Sequence, residues 1–91
     1  MKLTAVKPLA GYRLKLTFAD GVKGEVDLSS KVGKGVFASW KDPKVFARVR
    51  VGDVGELVWP GAVDLCADAL YASVTGHLPA EFSAKREPAH A

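Results

Sequence analysis

Few side chains in this sequence are spaced for chemistry. Asp64 and Asp68 lie four residues apart, a spacing that would set two carboxylates on one helix face for acid–base work or a divalent cation. Acids at a helix start also cap it and offset its dipole, each by about 0.3–1 kcal/mol, which accounts for both without a reaction. Cys66, the only cysteine, falls at the same helix start, where a thiolate is favoured. Alone it makes neither an intrachain disulfide nor a cysteine-based zinc site, and it is expected to be a small buried packing residue. His77 and His90 would share a metal only if the tail folded back. Gly33-Lys34-Gly35 lacks the spacing and hydroxyl of a phosphate loop and the third glycine of a dinucleotide fingerprint. Asp20 and Asp53 are turn residues. The sequence therefore predicts no enzyme: no catalytic residue, no cofactor and no metal ligand.

Binding is better represented. Trp59-Pro60 places a large aromatic at a strand end beside a turn, where tryptophan can anchor a partner, and Trp40 and Tyr71 join it as candidate partner-binding residues. Between positions 31 and 50, Lys31, Lys34, Lys41, Lys44, Arg48 and Arg50 face only Asp42, a local excess of +5 in a chain whose net charge is +3. Such an excess attracts phosphate or an acidic protein, so these six are the candidate nucleic-acid-binding residues. The chain has no Asn or Gln, the residues that make the usual bidentate contact to adenine, which argues against sequence-specific DNA reading.

These residues are positioned by elements that the pattern of apolar side chains foretells. Tyr12, Leu14, Leu16 and Phe18 alternate with polar residues, as do Val22, Gly24, Val26 and Leu28, so two strands meet at Asp20-Gly21. A two-residue turn would mix their faces. A three-residue loop of Ala19, Asp20 and Gly21 pairs Leu14 with Val26 and Leu16 with Gly24, and sets Arg13 opposite Asp27 and Lys15 opposite Glu25. The same argument closes a second hairpin at Asp53-Val54-Gly55, pairing Val51 with Leu57 and Val49 with Trp59. Lys2 to Lys7 reads as a first strand ended or edged by Pro8, with Leu3 and Ala5 on one side. After Ser29-Ser30 and a flexible connection, Val36, Phe37 and Trp40 have the spacing of a short turn. Asp42-Pro43 caps a short helix over 43–48, and a second helix runs over about 65–75, ending at Gly76. Residues 79–91 are expected to be a fraying tail, with Phe82 docking. The fold class is α+β, one small, mainly antiparallel sheet of four to five strands with two helices, in a single domain of residues 1–78. One cysteine, no signal peptide and no stretch of membrane-spanning length point to the cytoplasm.

Several short pieces, in order and spacing, resemble an uncharacterised bacterial family, domain of unknown function 2442. They are Phe18-Ala19-Asp20-Gly21, Val26-Asp27-Leu28, Phe46 with Val49, Gly55 to Pro60, Asp64-Leu65, and Asp68 with Leu70 and Tyr71, covering roughly residues 3 to 73. Members often have Ser-Pro where this chain has Cys66-Ala67, so its helix start is less strongly capped. The resemblance implies a small α+β domain, found also as the N-terminal half of a larger relative that continues into a helix-turn-helix. This sequence does not include that half, so DNA binding is not carried over. Some members are encoded beside another small uncharacterised protein, which hints at a toxin–antitoxin-like pair; the family transfers no catalytic residues. The expectation is a non-enzymatic interaction module that binds a protein partner or itself, with a nucleic-acid-associated accessory as the alternative.

Overall fold

The computed structural model describes residues 1–76 and 83–86. Its central hairpin follows from the alternating pattern. Strands β2 (Arg13–Phe18) and β3 (Lys23–Asp27) pair Arg13 with Asp27, Leu14 with Val26, Lys15 with Glu25, Leu16 with Gly24 and Thr17 with Lys23. This is the register that the three-residue loop requires. Phe18 N–H donates to Val22 O at 2.8 Å and Gly21 N–H to Phe18 O at 3.0 Å, with Gly21 at φ +91°, a conformation that glycine adopts without a Cβ penalty. Leu14, Leu16 and Val26 are fully buried, so the two dry faces coincide. On the wet face the ion pair is diagonal: Arg13 Nη1 donates to Glu25 Oε1 at 2.9 Å, while Asp27 accepts from the Ser29 backbone N–H.

The second hairpin repeats this turn. Strands β4 (Arg50–Val51) and β5 (Leu57–Trp59) pair Val51 with Leu57 and Arg50 with Val58, so Val49 falls just outside the ladder. Gly52 N–H donates to Glu56 O at 2.7 Å and Gly55 N–H to Gly52 O at 3.0 Å, with Gly55 at φ +81°.

In place of one sheet of four to five strands there are two antiparallel sheets. One is four-stranded, ordered β1 (Leu3–Leu9), β2, β3, β7 (Ser83–Arg86), and the other three-stranded, ordered β4, β5, β6 (Val63–Leu65). The reason lies between the hairpins. Residues 29–46 form a helical lobe of two 3₁₀ turns, Ser29–Lys31 and Gly35–Lys41, followed by helix α1 (Pro43–Phe46). Its Trp40 and Phe46 are buried with residues of both sheets in a single core, so the sheets share a core without sharing a ladder. Where sequence alone suggested a flexible connection, the chain is ordered by this packing. Asp42 caps α1 as expected, accepting from Lys44 N–H at 2.9 Å, but the helix ends at Phe46, short of Arg48.

Three further differences have local causes. Strand β1 continues through Pro8, which pairs with Leu14, beyond the expected end at Lys7; β1 is at the sheet edge, as the second reading of Pro8 expects, so the missing N–H breaks no central ladder. A register shift between Leu3 and Ala5 turns Ala5 outward and leaves Leu3 buried, so these two do not share a face. Strand β6 occupies residues expected to begin the second helix, which instead is α2 (Ala67–Thr75). Ala67, Leu70 and Val74 form its buried stripe, Cys66 at its N-cap makes no side-chain cap, and Gly76 ends it at φ +79°. Beyond α2, Ser83–Arg86 pairs with β3, within the stretch read from sequence as a tail. Phe82 and the rest of that stretch lie outside the described residues.

Candidate interaction surface

The aromatic candidates divide sharply by burial. Trp40 is 0% exposed and Trp59 4%. They pack against each other with ring centroids 4.7 Å apart, Phe46 stands edge-on to Trp40 at 5.1 Å, and Trp59 Nε1 donates to Phe46 O at 3.0 Å. Burying a side chain of this class stabilises the fold by about 1.5–3 kcal/mol, and the two indoles form the join between the sheets. Neither presents a face to a partner. Pro60 is exposed in the turn between β5 and β6, apart from the tryptophan expected to act beside it.

Tyr71 is half-buried and has a partner of its own. Its hydroxyl donates to Asp20 Oδ2 at 2.6 Å, and its ring stands edge-on to Phe18 at 5.0 Å. Asp20 also accepts from Val22 N–H at 3.0 Å, so one carboxylate closes the first hairpin turn and ties it to α2. The Tyr71 hydroxyl, with the Val22 N–H second, holds the Asp20 carboxyl below its ordinary range, and the same bond raises the Tyr71 phenol. The side-chain and backbone donors of Ser29 lower Asp27 in the same way. Turn chemistry in the sequence identifies half of the Asp20 role; the link to Tyr71, fifty-one residues away, has no local signal.

The basic segment is surface. Lys34, Lys41, Lys44, Arg48 and Arg50 are exposed, and Lys31 is half-buried with its ammonium 5.6 Å from the centre of the Phe37 ring. Residues 51–76 carry the opposite sign, with Asp53, Glu56, Asp64 and Asp68 and no lysine or arginine. Asp64 is on β6 and Asp68 in the first turn of α2, so they do not share a helix face; the Met1 amine donates to Asp68. Cys66 is exposed, contrary to the expected buried packing role, because the stripe of α2 begins one residue later at Ala67. His77 and His90 lie outside the described residues. Among the described residues no group of three or more potential metal ligands gathers, and no helix is long and apolar enough to cross a membrane.

Depressions interrupt this surface, two of them lined by described residues. An open one of about 500 Å³ lies where Met1 and Lys2 meet the second hairpin and α2, with Glu56, Asp64, Cys66 and Asp68 in its lining. The other, about 320 Å³, lies between the β1–β2 turn and α1 and is lined by Pro8, Leu9, Tyr12, Pro43, Phe46 and Ala47 among others. The sequence singled out neither, because each is assembled from segments far apart in the chain.

Compared with known proteins, residues 3–76 match the family model described as "Protein of unknown function (DUF2442)". No curated protein and no solved structure matches.

Proposed function

The chain belongs to the DUF2442 family, and from that premise we propose that it is a non-enzymatic interaction module whose two-sheet body presents a charged surface to a protein partner. The observation that carries this reading is the separation of charge. Along the chain, exposed cations crowd residues 31–50, whereas residues 51–76 carry four acids and no lysine or arginine, the cations beside those acids being the Met1 amine and Lys2. A separation of this kind on a small scaffold steers and orients a charged macromolecule more than it strengthens the fold. Asp20 holds a turn and Asp42 a helix start.

Affinity purification of the tagged chain from its native cell extract, with the product of the adjacent gene co-expressed, tests the proposal alongside light scattering of the pure chain. A salt-sensitive stoichiometric complex is expected. A strict monomer that retains no protein would overturn it.

The exposure of five cations favours a second reading, a nucleic-acid-associated accessory. Trp40 and Phe46 are too buried to stack on bases. Binding would therefore rest on phosphate contacts, be blind to sequence, and weaken steeply as salt rises. Titration of labelled RNA and DNA at low salt decides it, and absence of binding there eliminates it.

A further inference from the structure

We propose that the groove between the β1–β2 turn and α1 is the docking slot for an acidic segment of a protein partner, one that inserts an apolar side chain between flanking carboxylates. This rests on the reading of the chain as an interaction module and names its site. The lining is apolar, with Phe46 as a floor only 3% exposed and Pro8, Leu9 and Pro43 above it. The walls are held in place. Tyr12 stands edge-on to Phe46 at 5.0 Å and its hydroxyl donates to Lys41 O at 3.4 Å, which joins the β1–β2 turn to the lobe. Tyr12 does this from φ +61°, directly after Gly11 at φ +76°. A bulky residue held in the left-handed region is a strained conformation of the kind that clusters at binding sites.

Charge selects the occupant. The wall from Pro8 to Tyr12 carries no acid and follows the exposed Lys7, while the next cation, Arg13, is paired with Glu25. The other wall belongs to the lobe, where Lys41, Lys44 and Arg48 are exposed beside the lining residues Pro43 and Ala47. The one acid there, Asp42, caps α1. An apolar slot with a cationic surround is complementary to an acidic peptide with an apolar anchor and repels a basic one.

The test uses three short fluorescein-labelled peptides and fluorescence anisotropy on the full chain. One alternates Glu with Leu and Phe anchors, one has the anchors replaced by Ser, and one has Glu replaced by Lys. Only the first should bind. Ala47→Glu places a carboxylate in the groove at an exposed position, and Val36→Glu makes the same charge change at a residue 71% exposed that does not line it. The first substitution should weaken the peptide by about tenfold or more, the scale of losing one anchoring contact, and the second by a few-fold at most. Circular dichroism checks that both variants are folded before binding is compared. Equal effects of the two substitutions, tight binding of the anchor-free peptide, failure of the wild type to bind the acidic peptide, or displacement of that peptide by RNA with the same sensitivity to Ala47→Glu would each overturn the assignment. The broader reading fails separately. A partner retained equally by wild type and Ala47→Glu leaves the module standing and removes this groove, whereas no retained partner removes the module.

Discussion

Two glycines with the same backbone conformation should differ greatly in what they tolerate. An added Cβ at Gly21, φ +91°, meets nothing within 4 Å among the described residues. Gly21→Ala then suffers only the penalty of an L-residue in the left-handed region, roughly 1–2 kcal/mol, partly offset by a stiffer unfolded chain, so about 1 kcal/mol is lost. At Gly55, φ +81°, the Cβ would stand 2.5 Å from Lys2 Cβ and 3.0 Å from Lys2 Cα, and backbone cannot swing aside as a side-chain tip does. To admit it, the start of β1 must retreat. That breaks the Leu3 N–H to Gly55 O bond of 2.9 Å and draws Leu3, 3% exposed, out of the core. On top of the net penalty of about 1 kcal/mol for the left-handed conformation, overpacking adds about 1–3 kcal/mol and the hydrogen bond about 0.5–1.5, for a total of roughly 2.5–5.5 kcal/mol in Gly55→Ala. Gly52 supplies a control, because its φ is ordinary and its Cβ would strike Glu56 Oε1 at 1.9 Å, the far end of a side chain. Gly52→Ala should cost less than Gly55→Ala because the Glu56 tip can move, and Gly52→Ala in a Glu56→Ala background should cost less still. Urea unfolding followed by tryptophan fluorescence measures all four, read from midpoints at constant m-value. Gly55→Ala no more destabilising than Gly21→Ala, within about 0.5 kcal/mol, would refute the seating of β1 on the second hairpin.

Two other predictions follow from single hydrogen bonds. Because the Asp20 carboxyl is held below its ordinary value of 3.8, its bond with Tyr71 stabilises the fold above that value and is lost as pH falls through the lower folded one. Tyr71→Phe should therefore lower the urea midpoint at neutral pH by more than it does in strong acid, and an equal gap at both would rule out the carboxylate as its partner. Trp59→Phe removes one of the two donors to the Phe46 carbonyl, which keeps the Val49 N–H at 3.3 Å, so it costs about 0.5–1.5 kcal/mol beyond the lost packing. Trp40 Nε1 is buried and has no hydrogen-bond partner among the described residues, so Trp40→Phe should cost packing alone; thermal melts in which Trp40→Phe is the worse of the two would contradict this.

Apolar alternation with odd-length glycine turns determined the register of both hairpins, though Val49 falls outside the second ladder, and Asp42-Pro43 and Gly76 marked the helix ends they form. These are local matters: a one-residue slip moves every side chain to the wrong face, and a turn residue either tolerates its φ or does not. The three residues of β6 are too few to show a period, and Asp64 and Asp68 mimic a helix start that begins only at Ala67. Tertiary structure alone decided that Trp40 and Phe46 fill the join between two sheets, that Tyr71 reaches Asp20, and that Pro8 to Tyr12 lies against Pro43 to Ala47. Each is a meeting of distant segments, set by which arrangement buries the most apolar surface with its polar atoms paired, and periodicity within one segment carries no record of which other segment will cover it.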